Sequence, residues 1–339
     1  MAGSTEISLL GFSEFADTVA RRFYEGGGLV QDLDQVKGLF MVENVPSGTG
    51  NQRIYTEYDG ETYARFKDEG ADTTKTSVIK GYNKTMTARR FGAEIDITFE
   101  ARTFGKNAEI LRKLTSLATF IPQRQALDLT HQLTFATAGT YTDMDGETVT
   151  VTTGDGIALV SASHTLSGGS PATYSNVITG NPVFSASALD VARGIANTAI
   201  YSNFGERRVM NFNTVVTTDD PATVRAVKEL LNSTADPNGA NSGVVNVDKG
   251  MFKHVVLPRL ATTATGAYDS TKAKYWAYVA SGEWEAHLGI WEGAKLKMPA
   301  AGNNGEDLHN DNWTFGTRGT WGITVVSPKG FMLSDGTGS

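Results

Sequence analysis

The chain has 339 residues, 40% of them hydrophobic and 20% charged, with a formal net charge of −7 and no cysteine. The length exceeds what a single core serves, so two packed lobes are expected. The acidic balance excludes a surface that grips nucleic acid by neutralising phosphates, though not one that encloses it, and the missing cysteines exclude disulfides, thiolate metal sites and a cysteine nucleophile.

The N-terminal stretch MAGSTEISLLGFSEFADTVARRF shows no cationic leader ahead of an apolar core, so no signal peptide is expected. No apolar run approaches the roughly 20 residues of a membrane helix. Phe12, Phe15, Ala16, Val19, Ala20 and Phe23 recur at helical spacing until Gly26, Gly27 and Gly28 stop the pattern. That triplet lacks the spacing and the lysine of a phosphate loop.

From residue 45 the character changes. IYTEYDGETYARF and SVIKGYNKTMTARRFGAEIDITFEA alternate apolar with polar residues, and Ile95, Ile97 and Phe99 keep strict period two. The polar stretch KDEGADTTKT separates the two runs. Together they predict a long two-stranded excursion, which is marginal in water by itself and offers unpaired edges to other chains. The longest helical pattern covers 103–136, with Ile110, Leu111, Leu114, Leu117, Ala118 and Ile121, then Ala126, Leu129, Leu133 and Phe135. Pro122 lies between the two halves and predicts a kink or break. TYTDMDGETVTV predicts a hairpin turning at Asp145-Gly146. Its Asp143, Asp145 and Glu147 lack the further acidic positions of a calcium loop. IALVSAS predicts a strand ending in a polar turn.

Beyond residue 185 helix and strand mix. SASALDVARGIANTAIYSNFG predicts a helix with a serine cap, and DDPATVRAVKELLNS one with Asp220 as cap and Pro221 in its first turn. NTVVTT, FKHVVLPRL, YWAYVA and EWEAHLGIWEGAKLKM predict strands, and TWGITVVSPKGFML a closing hairpin-like pair. The loop DPNGANSGVVNVDKG is expected to project. Trp276, Trp284 and Trp291 are expected as packing anchors.

Motifs of catalysis are missing: no HExxH, GxSxG, GxxxxGK[ST] or GxGxxG stands where the chemistry needs it. Histidines 131, 164, 254, 287 and 309 show no metal-ligand spacing. Ser163 and His164, in LVSASHTLSGG, look like a nucleophile beside its base. Adjacent residues of an extended segment point apart, however, and a catalytic pair needs a third group to orient the ring.

The order of these parts resembles the major capsid proteins of tailed bacteriophages, the Hong Kong-type capsid fold shared by encapsulin shells. ITFEARTFGKNAEILRKLTSLATFIPQRQALDLTHQLTFATAG is similar to the strand and spine helix of that family's peripheral domain. LVSASHTLSGG, SNVITG and SASALDVARGIANTAI are similar to its Ser/His segment, Asn-rich turn and following helix, and NTVVTTDDPATVRAVKELLNS to the strand and helix of its axial domain.

The resemblance implies an α+β chain with an N-terminal arm (1–44), an extended β-hairpin E-loop (45–97), a peripheral domain with a long spine helix (98–184 and 311–339) and an axial domain (185–310). It implies no cofactor and no membrane. The expected partners are further copies of the chain in pentamers and hexamers, a portal, a separate scaffolding protein and a decoration protein. The shell encloses double-stranded DNA without reading its sequence, in a virion assembled in the host bacterial cytoplasm. Intersubunit contact candidates are Arg53, Tyr55, Tyr58, Tyr63, Phe66, Lys67, Lys80, Arg89, Arg90 and Arg102, with Asn238 and Asn241 on the axial loop. Arg112 joins the arginines as an ion-pair candidate, and Lys67, Lys75, Lys80 and Lys84 are candidates by location for one end of a crosslink to a neighbouring asparagine. Three other readings stay open: an encapsulin-like compartment, a β-rich hydrolase using His164 with a serine, and an adhesin-like binding module.

Overall fold

The computed structural model describes residues 17, 20–21, 23–24, 30–60, 63–104, 107–168, 173–235, 244–298 and 312–338. Two four-stranded sheets and one long helix organise this α+β chain. In the first sheet β1 (Met41–Asn44) runs parallel to β12 (Ala286–Lys297); β12 is antiparallel to β13 (Trp313–Val325), which is antiparallel to β4 (Arg89–Ile97). In the second, β10 (Lys253–Val256) runs parallel to β9 (Thr214–Thr217), and β11 (Trp276–Val279) lies antiparallel between β9 and β14 (Phe331–Ser334). Three small pairs complete the strands: β2 (Gln52–Gly60) with β3 (Val78–Thr87), β5 (Thr140–Thr142) with β6 (Thr148–Thr150), and β7 (His164–Thr165) with β8 (Thr173–Tyr174).

The core follows the apolar stripes. Helix α1 (Gln31–Lys37) presents Leu33 and Val36 to the main buried cluster, which also holds Trp284, Leu288, Trp321 and Phe331. A short helix α2 (Phe99–Thr103) precedes the long helix α3 (Asn107–Thr134). The N-terminal half of α3 packs Ile110, Leu114 and Leu117 against Ile97, Phe315 and Phe23; its C-terminal half sends Ile121, Ala126, Leu129 and Leu133 into the main cluster. Helices α4 (Ala186–Thr198) and α5 (Pro221–Asn232) cover the second sheet, packing on Trp276, Tyr278 and Met332. Their caps are those the sequence predicts: Ser185 accepts from the Ala188 N–H, and Asp220 from that of Thr223. Trp276 and Trp284 are buried, whereas half-buried Trp291 donates to the Gly50 carbonyl at 2.8 Å.

Several expectations are corrected. Helix α3 runs through Pro122 without a break. Both of its halves are buried in adjoining clusters, and packing rather than local propensity carries most helical stability. Residues 31–44 are no free arm, because α1 is in the core and β1 is paired. Most of the helical stretch expected around residues 12–23 lies outside the described residues, though Phe23 is buried against α3. The hairpin ends at Thr87: β4 pairs with β13 and leaves the ribbon, and Phe99 opens a helix. The domain boundary at 185 and 310 does not follow the sheets. Strand β12 pairs with β1 and β13, while β14 pairs with β11, and one core joins both sheets. For the same reason β13 and β14 form no hairpin with each other. Residues 157–163 form no strand; only an isolated bridge, Thr152 to Ala158, occurs there.

Candidate assembly surface

Strands β2 and β3 make a two-stranded ribbon outside both large sheets. Alternation along β2 divides its side chains between two faces. Arg53, Tyr55, Glu57 and Asp59 face the body of the chain, with Glu57 and Asp59 buried; Ile54 and Tyr58 face outward, 70% and 65% exposed. The usual polarity is therefore inverted: two carboxylates lie inside and two large apolar side chains lie outside. On β3 the inward Met86 is fully buried, while Val78 and Lys80 are exposed.

Polar contacts bind the proximal half of the ribbon. Lys329, itself buried, places Nζ 2.6 Å from Glu57 Oε1 and 3.2 Å from Asp59 Oδ2, and Arg208 reaches Asp59 at 3.1 Å. Burial by itself raises the Asp59 carboxyl. Lys329, the Asn203 N–H and Arg208 outweigh it and hold the group below the usual carboxylate range. Lys84 donates to the Thr152 hydroxyl at 2.7 Å, and Tyr82 Oη lies 2.8 Å from Thr165 Oγ1. Burial lowers the Lys84 ammonium against the pull of Asp155.

Farther out the chain opens to solvent. The described residues 63–77 have no helix or strand and every one is exposed, Phe66 at 87%. Tyr63, Phe66, Lys67 and Lys75 thus lie on a solvent-facing tip, and Tyr58 and Lys80 on the outer faces of the strands. Other candidates already have partners in the chain. Arg53 pairs with Glu43; Tyr55 donates to Glu43 at 2.7 Å and stacks on His287 at 4.1 Å; Arg89 reaches Asp143 at 2.8 Å. Arg90 and Arg112 are exposed. Arg102 falls in α2, but its side chain, like Asn238 and Asn241 altogether, lies outside the described residues. Val244, Val245, Val247 and Met251 form a second exposed apolar group. The chain beneath it is fixed: Asn246 donates to the Leu230 and Ser233 carbonyls, and Asp248 pairs with Arg193.

His164 is wholly buried, with Nδ1 2.8 Å from Asp155 Oδ2 and Nε2 3.2 Å from the Leu159 carbonyl. Ser163 is exposed, and its Oγ lies 3.4 Å from that of Ser161. Among the described residues neither ring nitrogen meets a serine, and the pairing of His164 with a serine nucleophile is corrected: the ring ties β7 to the turn at Asp155. Asp143 is likewise no cation ligand in waiting, since Arg89 and Arg124 both reach its carboxylate. Among the described residues no group of three or more acidic or histidine side chains converges as a metal site, and no helix is long and apolar enough to cross a membrane.

Sequence reasoning missed Glu57, Asp59 and Lys329, which join into one buried cluster. The only signal was two acids spaced by two within a strand-like run.

No family model matches the sequence, and no curated protein does either. In structure the chain is similar to phage proteins. The structure titled Gordonia phage Cozz is 13% identical at a TM-score of 0.49, over 88% of this chain and 84% of that one. The Capsid structure of the Cyanophage P-SCSP1u is 12% identical at 0.48, over 87% and 85%. The chain is also similar to the virus-like particle from Pyrococcus furiosus, 10% identical at 0.44, over 94% and 97%.

Proposed function

We propose that this chain is the repeating subunit of a closed protein shell, a capsid protein of the tailed-phage type that assembles as pentamers and hexamers around double-stranded DNA. One observation carries the reading: the ribbon turns its carboxylates inward and its apolar side chains outward, where none of the described residues of its own chain covers them. An apolar outer face on a thin two-stranded sheet is an interaction site, and the same face on every copy, laid on a different patch of the next, gives head-to-tail contacts that close into rings. The acidic net charge suits a wall that encloses DNA without holding it. Portal, scaffolding and decoration proteins would be further partners, and the assembled particle the place of residence.

Electron microscopy of the expressed chain, alone and with its genetic neighbours, tests this. Shells whose assembly is abolished by deleting residues 63–77 are expected. A monodisperse single copy at every concentration, with a ribbon protected from hydrogen exchange along its whole length, refutes it. The contents of purified shells separate a genome container from a compartment for protein cargo.

A further inference from the structure

At the base of the ribbon four polar side chains are sealed from solvent together: Glu57 and Lys329 each 3% exposed, Asp59 8% and Asn203 1%. Lys329 Nζ lies 2.6 Å from Glu57 Oε1 and 3.4 Å from Asn203 Oδ1. A Cβ placed on Gly81 would stand 2.8 Å from Glu57 Oε2 and 2.8 Å from Asn203 Nδ2, so those two atoms flank the same gap. Asn203 Nδ2 is buried and has no hydrogen-bond partner, a state that a folded chain rarely leaves unexplained. An amine, a carboxamide and a carboxylate are thus held together in one buried pocket.

We propose that Lys329 and Asn203 join in an intrachain isopeptide bond, with Glu57 as the proton carrier. A proton passes from the Lys329 ammonium to Glu57 across their 2.6 Å contact, converting the ion pair into a neutral amine and a carboxylic acid. The Nζ lone pair attacks Asn203 Cγ. The new C–N bond forms as the carbonyl π pair moves onto Oδ1, which the Ser167 N–H faces at 3.5 Å. Glu57 gives its proton to Nδ2 and takes one from the attacking nitrogen. The Cγ–Nδ2 bond then breaks, the carbonyl reforms and neutral ammonia leaves, with Glu57 still protonated. No oxidant or external reactant enters. Asp59 and Arg208 stay paired throughout, so the pocket holds no uncompensated charge. Holding the groups in contact converts a slow bimolecular aminolysis into an intramolecular one. The inference concerns one chain and stands whether or not shells form.

Intact mass under denaturing conditions decides it. The purified full chain, tested both unassembled and in any particles, is expected to be lighter than its sequence by one ammonia. Its tryptic digest should be uncut after Lys329 and contain a branched peptide carrying residue 203. Glu57→Gln and Lys329→Met should each restore the full mass, and Asn203→Asp should form the same link with loss of water. The product migrates as a single chain, unlike a crosslink between copies. An unshifted wild-type mass in both forms overturns the proposal without recourse to any variant. So does a wild-type loss of water, which would put the link on Asp59 or Glu57, or a bond that survives Glu57→Gln.

Discussion

Phe66 offers the sharpest test of the outward-facing ribbon. In the single chain it is 87% exposed, so removing its ring takes away no packing within the subunit, and surface changes of this kind alter stability by no more than about 0.5 kcal/mol. If a neighbouring copy covers it, nearly all of the ring's transfer free energy is released on assembly, about 2 kcal/mol for each ribbon seated. Each copy seats one ribbon, so Phe66→Ala should raise the critical concentration for assembly by about thirtyfold. Light scattering across a dilution series measures that threshold, while urea denaturation of the unassembled subunit should show an unchanged midpoint. An unchanged threshold would refute the argument, and so would a destabilised subunit, because either places the ring somewhere other than a contact between copies.

Other outcomes follow from the interior. Asp59→Asn removes the carboxylate that pairs with Arg208, leaving that guanidinium without its partner, and should cost about 3 kcal/mol in urea denaturation, with faster hydrogen exchange confined to the base of the ribbon. Gly330→Ala would place a Cβ 2.8 Å from Trp284 Cβ and 2.9 Å from Trp284 Cα. Backbone cannot yield there as a side-chain tip can, so a loss of about 2 kcal/mol is expected, measured the same way. Two buried groups on α3 titrate with opposite sign. Burial, with Lys272 nearby, lowers His131 to about 4, so the unfolded chain takes up its proton first; stability falls by about 2 kcal/mol through this group between pH 7 and pH 5. Burial raises Asp128 to about 6 despite Arg124, so the folded chain takes up this proton first, and stability rises by about 1 kcal/mol over the same range. Comparing the change in urea midpoint between the two pH values, His131→Gln should move it towards stabilisation at pH 5 and Asp128→Asn away from it. Equal changes in wild type and both variants would contradict the assignment.

Much of the fold is local and therefore legible. Ser185 and Asp220 mark their helix starts because capping is a contact over three residues, and the stripe from Ile110 to Leu133 marks α3 because burial repeats with the helical turn. Period two in β2 and β3 likewise predicts a ribbon, and with it the candidate surface at Tyr58, Tyr63 and Phe66. What the pattern could not give is which of the two faces of a strand turns inward. Glu57 and Asp59 are inside only because Lys329, 272 and 270 positions away, meets them there. The same holds for β14, which joins the second sheet rather than its neighbour β13, for Pro122, carried through by packing on both sides, and for His164, defined by Asp155. The sequence by itself determined where helices and strands form and which residues share a face, since those depend on neighbours along the chain. The tertiary structure alone decided which face is covered, which charge is neutralised and which apolar side chains stay exposed, because each depends on residues that only folding brings within contact distance.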